Sequence, residues 1–204
     1  MPPETTPNRS RRSESSRRAI LDATYGLVLE KGYAKLTIEA IAARAGVGKQ
    51  TIYRWWPSKG AVMFDSFLDV ADDRSGEDVA LPDTGDIAAD LKAVLRATVD
   101  EYNDAAYSAR LRALNAELLT DPKLSAELFE RMLAPGLAAY LTRLEAARSA
   151  GEIAADADLE TAIEVLLSPI HYRWQLGTGP LTHAFTDSIV DLVLTGLRPP
   201  RPRD

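Results

Sequence analysis

The chain of 204 residues contains no cysteine, which removes disulfides, thiolate zinc sites and a cysteine nucleophile together. Histidine is almost as scarce. His171 and His183 are the whole supply, too few for a histidine-rich metal site within one chain. No apolar run approaches the roughly 20 residues that a membrane-spanning helix requires. The N-terminal arginines have no apolar segment behind them, so no export signal is read and the expected compartment is cytoplasmic. A glycine-rich phosphate loop and a metal-ligand set are also missing. Asp100, Glu101 and Asp104 gather near Tyr102, but at helix-surface spacing and without a paired base. No enzyme activity, metal or cofactor is therefore expected.

What is present is an ordinary globular composition, 46% hydrophobic and 26% charged, long enough for a real core. The net charge of -6 hides an asymmetry. Residues 1–60 hold 11 Lys and Arg against 5 Asp and Glu, while the rest hold 13 against 25. A basic end on an acidic body is the footprint of a module that meets an anion, and nucleic acid is the obvious anion. Arg9, Arg11, Arg12, Arg17 and Arg18 taken alone also read as a solvated basic tail.

Residues 1–14 carry Pro, Ser, Thr and Arg with almost nothing apolar, and are expected to be a disordered basic tail. From Ser15, Ile20, Ala23, Leu27 and Val28 recur at helical spacing until Lys31 and Gly32 stop the segment. Thr37 reads as the N-cap of a second helix that ends at Gly46, and KQTIYRWW opens a third. Ser58 caps a longer helix through Phe64 and Phe67. Further helices are expected at about 86–103, 105–119, 122–149, 158–176 and 182–197, with a kink or break near Pro135 and Pro169. The fold class is all-α: an N-terminal three-helix helix-turn-helix head over 15–62, then a larger helical domain over 63–198, with 199–204 a disordered tail.

Two short helices joined by Ala45-Gly46-Val47-Gly48 have the shape of a helix-turn-helix, whose second helix enters the major groove of DNA. On that helix Ile52 and Trp56 are four apart, a spacing that lets both face the core. Lys49, Gln50, Thr51, Tyr53, Arg54 and Trp55 are left on the outward arc. Lys, Gln and Arg reach base edges, Thr offers a hydroxyl and a methyl, and Tyr and Trp press on the sugar-phosphate wall. Thr37, at a helix N-terminus, is placed to take a phosphate, and Lys59 to clamp the neighbouring backbone. Taken singly, Thr37 also reads as a plain cap and Lys59 as a solvated lysine.

Residues 15–64, with the block TIEAIAARAGVGKQTIYRWWPSKGAVMF, resemble the DNA-binding head of the TetR (tetracycline repressor-like) family of bacterial regulators. Thr37, the pair Ile41-Ala42, the turn Ala45-Gly46-Val47, the pair Ile52-Tyr53 and the start Ser58-Lys59 fall in order at the family's spacing. The resemblance implies phosphate contacts from Thr37, Tyr53 and Lys59, and base or groove contacts from Lys49, Gln50, Thr51 and Arg54. Gly48 stands where the family often has a capping Ser, and Trp55-Trp56 replace a smaller pair ending in Phe.

The resemblance also implies a homodimer whose last two long helices pair, a small-molecule effector, and binding to a palindromic double-stranded DNA operator, with repression as the default outcome and activation as the alternative. Ile163, Leu167, Phe185, Ile189, Leu192 and Val193 are the candidate dimer residues, though a monomer core could absorb the same stripes. Tyr102, Tyr107, Leu114, Phe129, Met132, Tyr140, Ile170, His171 and Trp174 are the candidate pocket, with Asn103, Asn115 and Arg173 as further polar candidates. Side chains of these types at helical spacing are equally the material of a core. The competing function is a helical protein-interaction module that binds DNA only nonspecifically.

Overall fold

A computed structural model of the protein describes residues 7–75, 80–119 and 121–199. Ten α-helices are present among the described residues, with no β-strand. They are α1 (Pro7–Lys31), α2 (Ile38–Ala45), α3 (Lys49–Tyr53), α4 (Lys59–Ser75), α5 (Ile87–Asn103), α6 (Ala105–Leu118), α7 (Pro122–Leu128), α8 (Ala134–Ser149), α9 (Leu159–Leu176) and α10 (His183–Leu197).

Most boundaries follow from side chains that cap orphan backbone groups. Thr37, Asp86, Asp158 and Thr182 each accept a hydrogen bond from the amide three residues on, opening α2, α5, α9 and α10. Gly46 and Gly177 close α2 and α9 with left-handed φ of 66° and 65°, a conformation that costs a residue with a Cβ.

Three expectations change. Residues 7–14 were expected to be disordered, yet α1 begins at Pro7. Extending an already anchored helix requires no new nucleation, and Arg and Glu are good helix formers. The expected boundary at 62/63 falls inside α4, because Val62 and Met63 belong to the same core as α1 and α2. The break expected near Pro135 is present, as a π-helical turn at Phe129–Leu133 interrupts 122–149 and Pro135 falls in the first turn of α8. Pro169, by contrast, does not break α9. The amide it lacks would have served the Val165 carbonyl, on a face where Val165 is exposed and water can take that bond.

The chain divides into two compact units, Met1–Gly76 with Ala109–Leu128, and Glu77–Ser108 with Phe129–Asp204. The first is built on Ile20, Leu27, Ile41, Ile52, Trp56 and Met63, with Ala113 contributed by α6. Arg17 and Arg18 are not part of a loose tail: they reach Asp65 and Asp69 of α4 at 3.4 and 3.3 Å. The core of the second joins α5, α8, α9 and α10 through Leu91, Leu95, Leu144, Leu166 and Val190. A buried ion pair pins its first loop, since Arg143 lies 2.8 Å from Asp90 and both side chains are almost fully enclosed. Burial pushes the Asp90 carboxyl up, but hydrogen bonds from Thr84 and Arg143 outweigh it and hold it below the usual carboxylate range.

Candidate nucleic-acid interface

The turn between α2 and α3 is fixed by backbone bonds. The Gly46 and Val47 amides both return to the Ala42 carbonyl, and Val47 packs against the core of the first unit. Gly48 then opens α3 in extended conformation with no side-chain cap. This leaves the α3 start held by the Thr51 amide on the Gly48 carbonyl at 2.9 Å.

Ile52 and Trp56 are the buried anchors of α3 and the turn after it, 0% and 4% exposed. Because they fix the rotation of the short helix, Lys49, Gln50, Tyr53, Arg54 and Trp55 all face outward, with Thr51 half-buried at the edge. Gln50, Thr51, Tyr53 and Arg54 line a shallow surface depression, and the Arg54 guanidinium sits 5.9 Å from the Trp55 ring. Four hydrogen-bonding side chains of different reach on one arc can address base edges and phosphates at once.

Thr37 and Lys59 flank this arc. The Thr37 oxygen accepts the Ala40 amide at 3.1 Å, while its O–H remains a donor for an anion. The Lys59 ammonium lies 4.2 Å above the Tyr33 ring, so its position is set before any ligand arrives. Burial, with Glu117 nearby, raises the Tyr33 hydroxyl far above its ordinary value, and the ring stays a neutral platform.

On this surface the sequence reading missed one ion-pair partner. Glu39, in the first turn of α2, accepts from Lys49 Nζ at 2.9 Å. That hydrogen bond raises the Lys49 ammonium pKa and lowers that of the Glu39 carboxyl. An acidic residue near a helix N-terminus is so ordinary that only the turn geometry reveals the pair.

The 20–65 segment matches the family of bacterial regulatory proteins named tetR family, and residues 81–193 match the tetracyclin repressor-like C-terminal domain. The chain belongs to the TetR family. It is 33% identical to the uncharacterized HTH-type transcriptional regulator YdeS of Bacillus subtilis over 92% of each chain. Identity to the DNA-binding transcriptional repressor TetR of Mycobacteroides abscessus is 31%, over 94% of this chain and 98% of that one. The crystal structure of the TetR family transcription regulator SCO0332 superposes with a TM-score of 0.69 at 34% identity, over 90% of this chain and 99% of that one. This TetR-family protein is thus a transcriptional regulator, and its helix-turn-helix head is the DNA-binding domain.

The candidate pocket residues divide. Tyr102, Ile170 and His171 line a cavity of about 580 Å³ in the second unit, together with Thr98, Ser168 and Gln175, which the sequence reading missed. Tyr107 stacks on Tyr102 at 5.9 Å, and Trp174 lies 5.3 Å from Tyr102 and 5.4 Å from His171. Tyr140 is buried nearby, and burial raises both the Tyr102 and Tyr140 hydroxyls, keeping them protonated. Phe129 lines a different cavity, and Met132 is half-buried in the π-helical turn. Leu114 lines neither: it is fully buried in the part of α6 that belongs to the first unit. Of the polar candidates, Asn103 donates to the Leu181 carbonyl and Arg173 to the Pro180 carbonyl, where both brace the turn before α10, and Asn115 lies in the first unit.

Among the candidate dimer residues, Ile163, Ile189 and Val193 lie in the second unit's own core, with Leu167 and Phe185 packed against it. Leu192 is the exception, 71% exposed. Val165, Tyr172 and Leu176 form an exposed apolar stripe on α9 that was not anticipated.

Proposed function

We propose that this regulator is a homodimeric repressor that binds a palindromic operator and is released from it by a small-molecule effector. The observation that carries the DNA contacts is the outward arc on α3, held rigid because Ile52 and Trp56 are locked in the core beneath it. Lys49, Gln50, Thr51 and Arg54 read the groove, while Thr37, Tyr53, Trp55 and Lys59 grip the backbone, with Gly48 letting the chain approach closely. The repressor reading draws support from the name of the Mycobacteroides abscessus relative.

Dimerisation is supported by the stripe Val165, Tyr172 and Leu176 together with Leu192, apolar side chains that a lone chain leaves in water. The effector site is the cavity beside Tyr102 and His171, where neutral hydroxyls, an imidazole and the Gln175 amide meet apolar walls. An effector that prefers a dimer with a different spacing of its two α3 helices lowers operator affinity by its differential affinity for the two conformations. The compartment that suits such a protein is the cytoplasm.

The test is selection of bound duplexes from a random pool. A palindrome with half-sites centred about 34–36 Å apart, one turn of DNA, supports the reading. Recovery of no motif, with weak salt-sensitive binding alone, overturns it in favour of an interaction module.

A further inference from the structure

Lys49 and Lys59 are held in opposite ways. The Lys49 ammonium is paired with the Glu39 carboxylate, whereas Lys59 makes no ion pair with a described residue and rests on the Tyr33 ring face at 4.2 Å. An aromatic face orients an ammonium without cancelling its charge, and the hydrogens that point away from the ring can still bond a phosphate. The seat of Lys59 therefore depends on where the Tyr33 ring lies and on where the first turn of α4 carries the lysine.

One side chain bears on both. Glu117 is half-buried on the part of α6 that belongs to the first unit. The Tyr33 hydroxyl is enclosed, makes no well-aligned hydrogen bond, and has the Glu117 carboxylate within its reach. The same carboxylate abuts the residue after Lys59. A methyl group added to Gly60 would lie 2.8 Å from Glu117 Oε2, so the first turn of α4 admits the carboxylate only because position 60 has no side chain. A negative group suits the amide end of a helix. Ser58 already caps that end through the Ala61 amide at 3.1 Å, so Glu117 is not needed to start the helix.

We propose that Glu117 is a positioning residue for DNA binding: set between the Tyr33 hydroxyl and Gly60, it fixes the ring and the helix turn that together aim Lys59 at a phosphate. This rests on the phosphate contact proposed above for Lys59. Charge alone predicts the reverse effect. A carboxylate near DNA repels phosphates, so its removal would strengthen binding if Glu117 acted only through its field. Because it holds a cation in place, its removal weakens binding instead.

The test is fluorescence anisotropy of the full chain with a duplex of random sequence over a NaCl series, with circular dichroism as the check on folding. Lys59→Ala should make the slope of log affinity against log salt shallower by about 0.9, the value of one lost phosphate contact. Glu117→Ala should weaken binding about two- to fivefold, the size of the cation–ring contact it supports. Gly60→Ala displaces the carboxylate but keeps its charge, and should weaken binding to the same extent. It decides alone if Glu117→Ala does not fold. In the Lys59→Ala background neither change should weaken binding further, whereas a general loss of structure would. Stronger or unchanged binding by Glu117→Ala, or a loss that persists without Lys59, overturns the proposal. If Lys59→Ala keeps the wild-type affinity and slope, the phosphate contact itself is refuted, and the proposal with it.

Discussion

Trp56 donates its indole N–H to Asp65 Oδ2 at 2.9 Å, and Arg17 reaches the same oxygen at 3.4 Å. One carboxylate on α4 therefore ties the end of the recognition segment to α1. Asp65→Ala leaves an enclosed indole N–H without its partner, and the expected loss is about 1–3 kcal/mol of stability. Urea denaturation measures it. Trp56→Phe keeps most of the ring and should cost less than Trp56→Ala, for which about 3–5 kcal/mol is expected from the cavity.

Lys49 is held by Glu39 in the free protein, so any phosphate or base edge that takes Lys49 must compete with a carboxylate. Glu39→Gln should raise affinity for random duplex. The slope of log affinity against log salt should steepen by up to about 0.9, the value of one added phosphate contact. Fluorescence anisotropy over a NaCl series reads both. Lys49→Gln should move both in the opposite direction.

The enclosed pair of Asp90 and Arg143 makes a sharper demand on stability. Asp90→Ala leaves the buried guanidinium with only the Pro82 carbonyl at 3.2 Å and the exposed Asp83 at 3.5 Å, and the expected cost approaches the roughly 3–5 kcal/mol of a broken buried pair. The pH dependence has a definite sign. The Asp90 carboxyl is held below its ordinary value of 3.8, so the pair's stability is fully present above that value and is lost as pH falls through the lower folded value. Urea midpoints of wild type and variant should differ most near neutrality and converge in strong acid.

Leu192 and Leu176 are exposed on α10 and α9 and pack little within the chain. Changing both to Glu should leave the thermal midpoint of the protomer nearly unchanged, shift sedimentation toward monomer, and weaken operator binding. A variant that remains dimeric would move the interface to another face.

The helix ends were legible because they are local. Thr37, Asp86, Asp158 and Thr182 sit next to the groups they cap, and the turn at Gly46 is written in consecutive residues. The outward arc was legible for the same reason, since Ile52 and Trp56 fix which way a short helix faces. Partners that meet only in space were not. Glu39 finds Lys49 across a turn, and Asp90 finds Arg143 from 53 residues away.

Stripes were ambiguous in a different way. Ile163, Ile189 and Val193 have the periodicity of an interface, but their own chain covers them, while the exposed Tyr172 and Leu176 were overlooked. Apolar spacing identifies a face that wants cover and does not say which chain supplies it. The same limit explains Leu114, whose helix runs through two units and whose side chain belongs to the other one.

The direct measurement of sequence-specific DNA binding is the affinity of the full chain for its selected duplex when Lys49, Arg54 and Lys59 are each changed to Glu. Circular dichroism confirms that helix content is retained. Each reversal should weaken specific binding by at least about tenfold, and the triple variant should fall to the level of random duplex, since lost contacts become repulsion at the phosphates. A triple variant that still binds the selected duplex within about twofold of wild type would contradict the assignment of this surface.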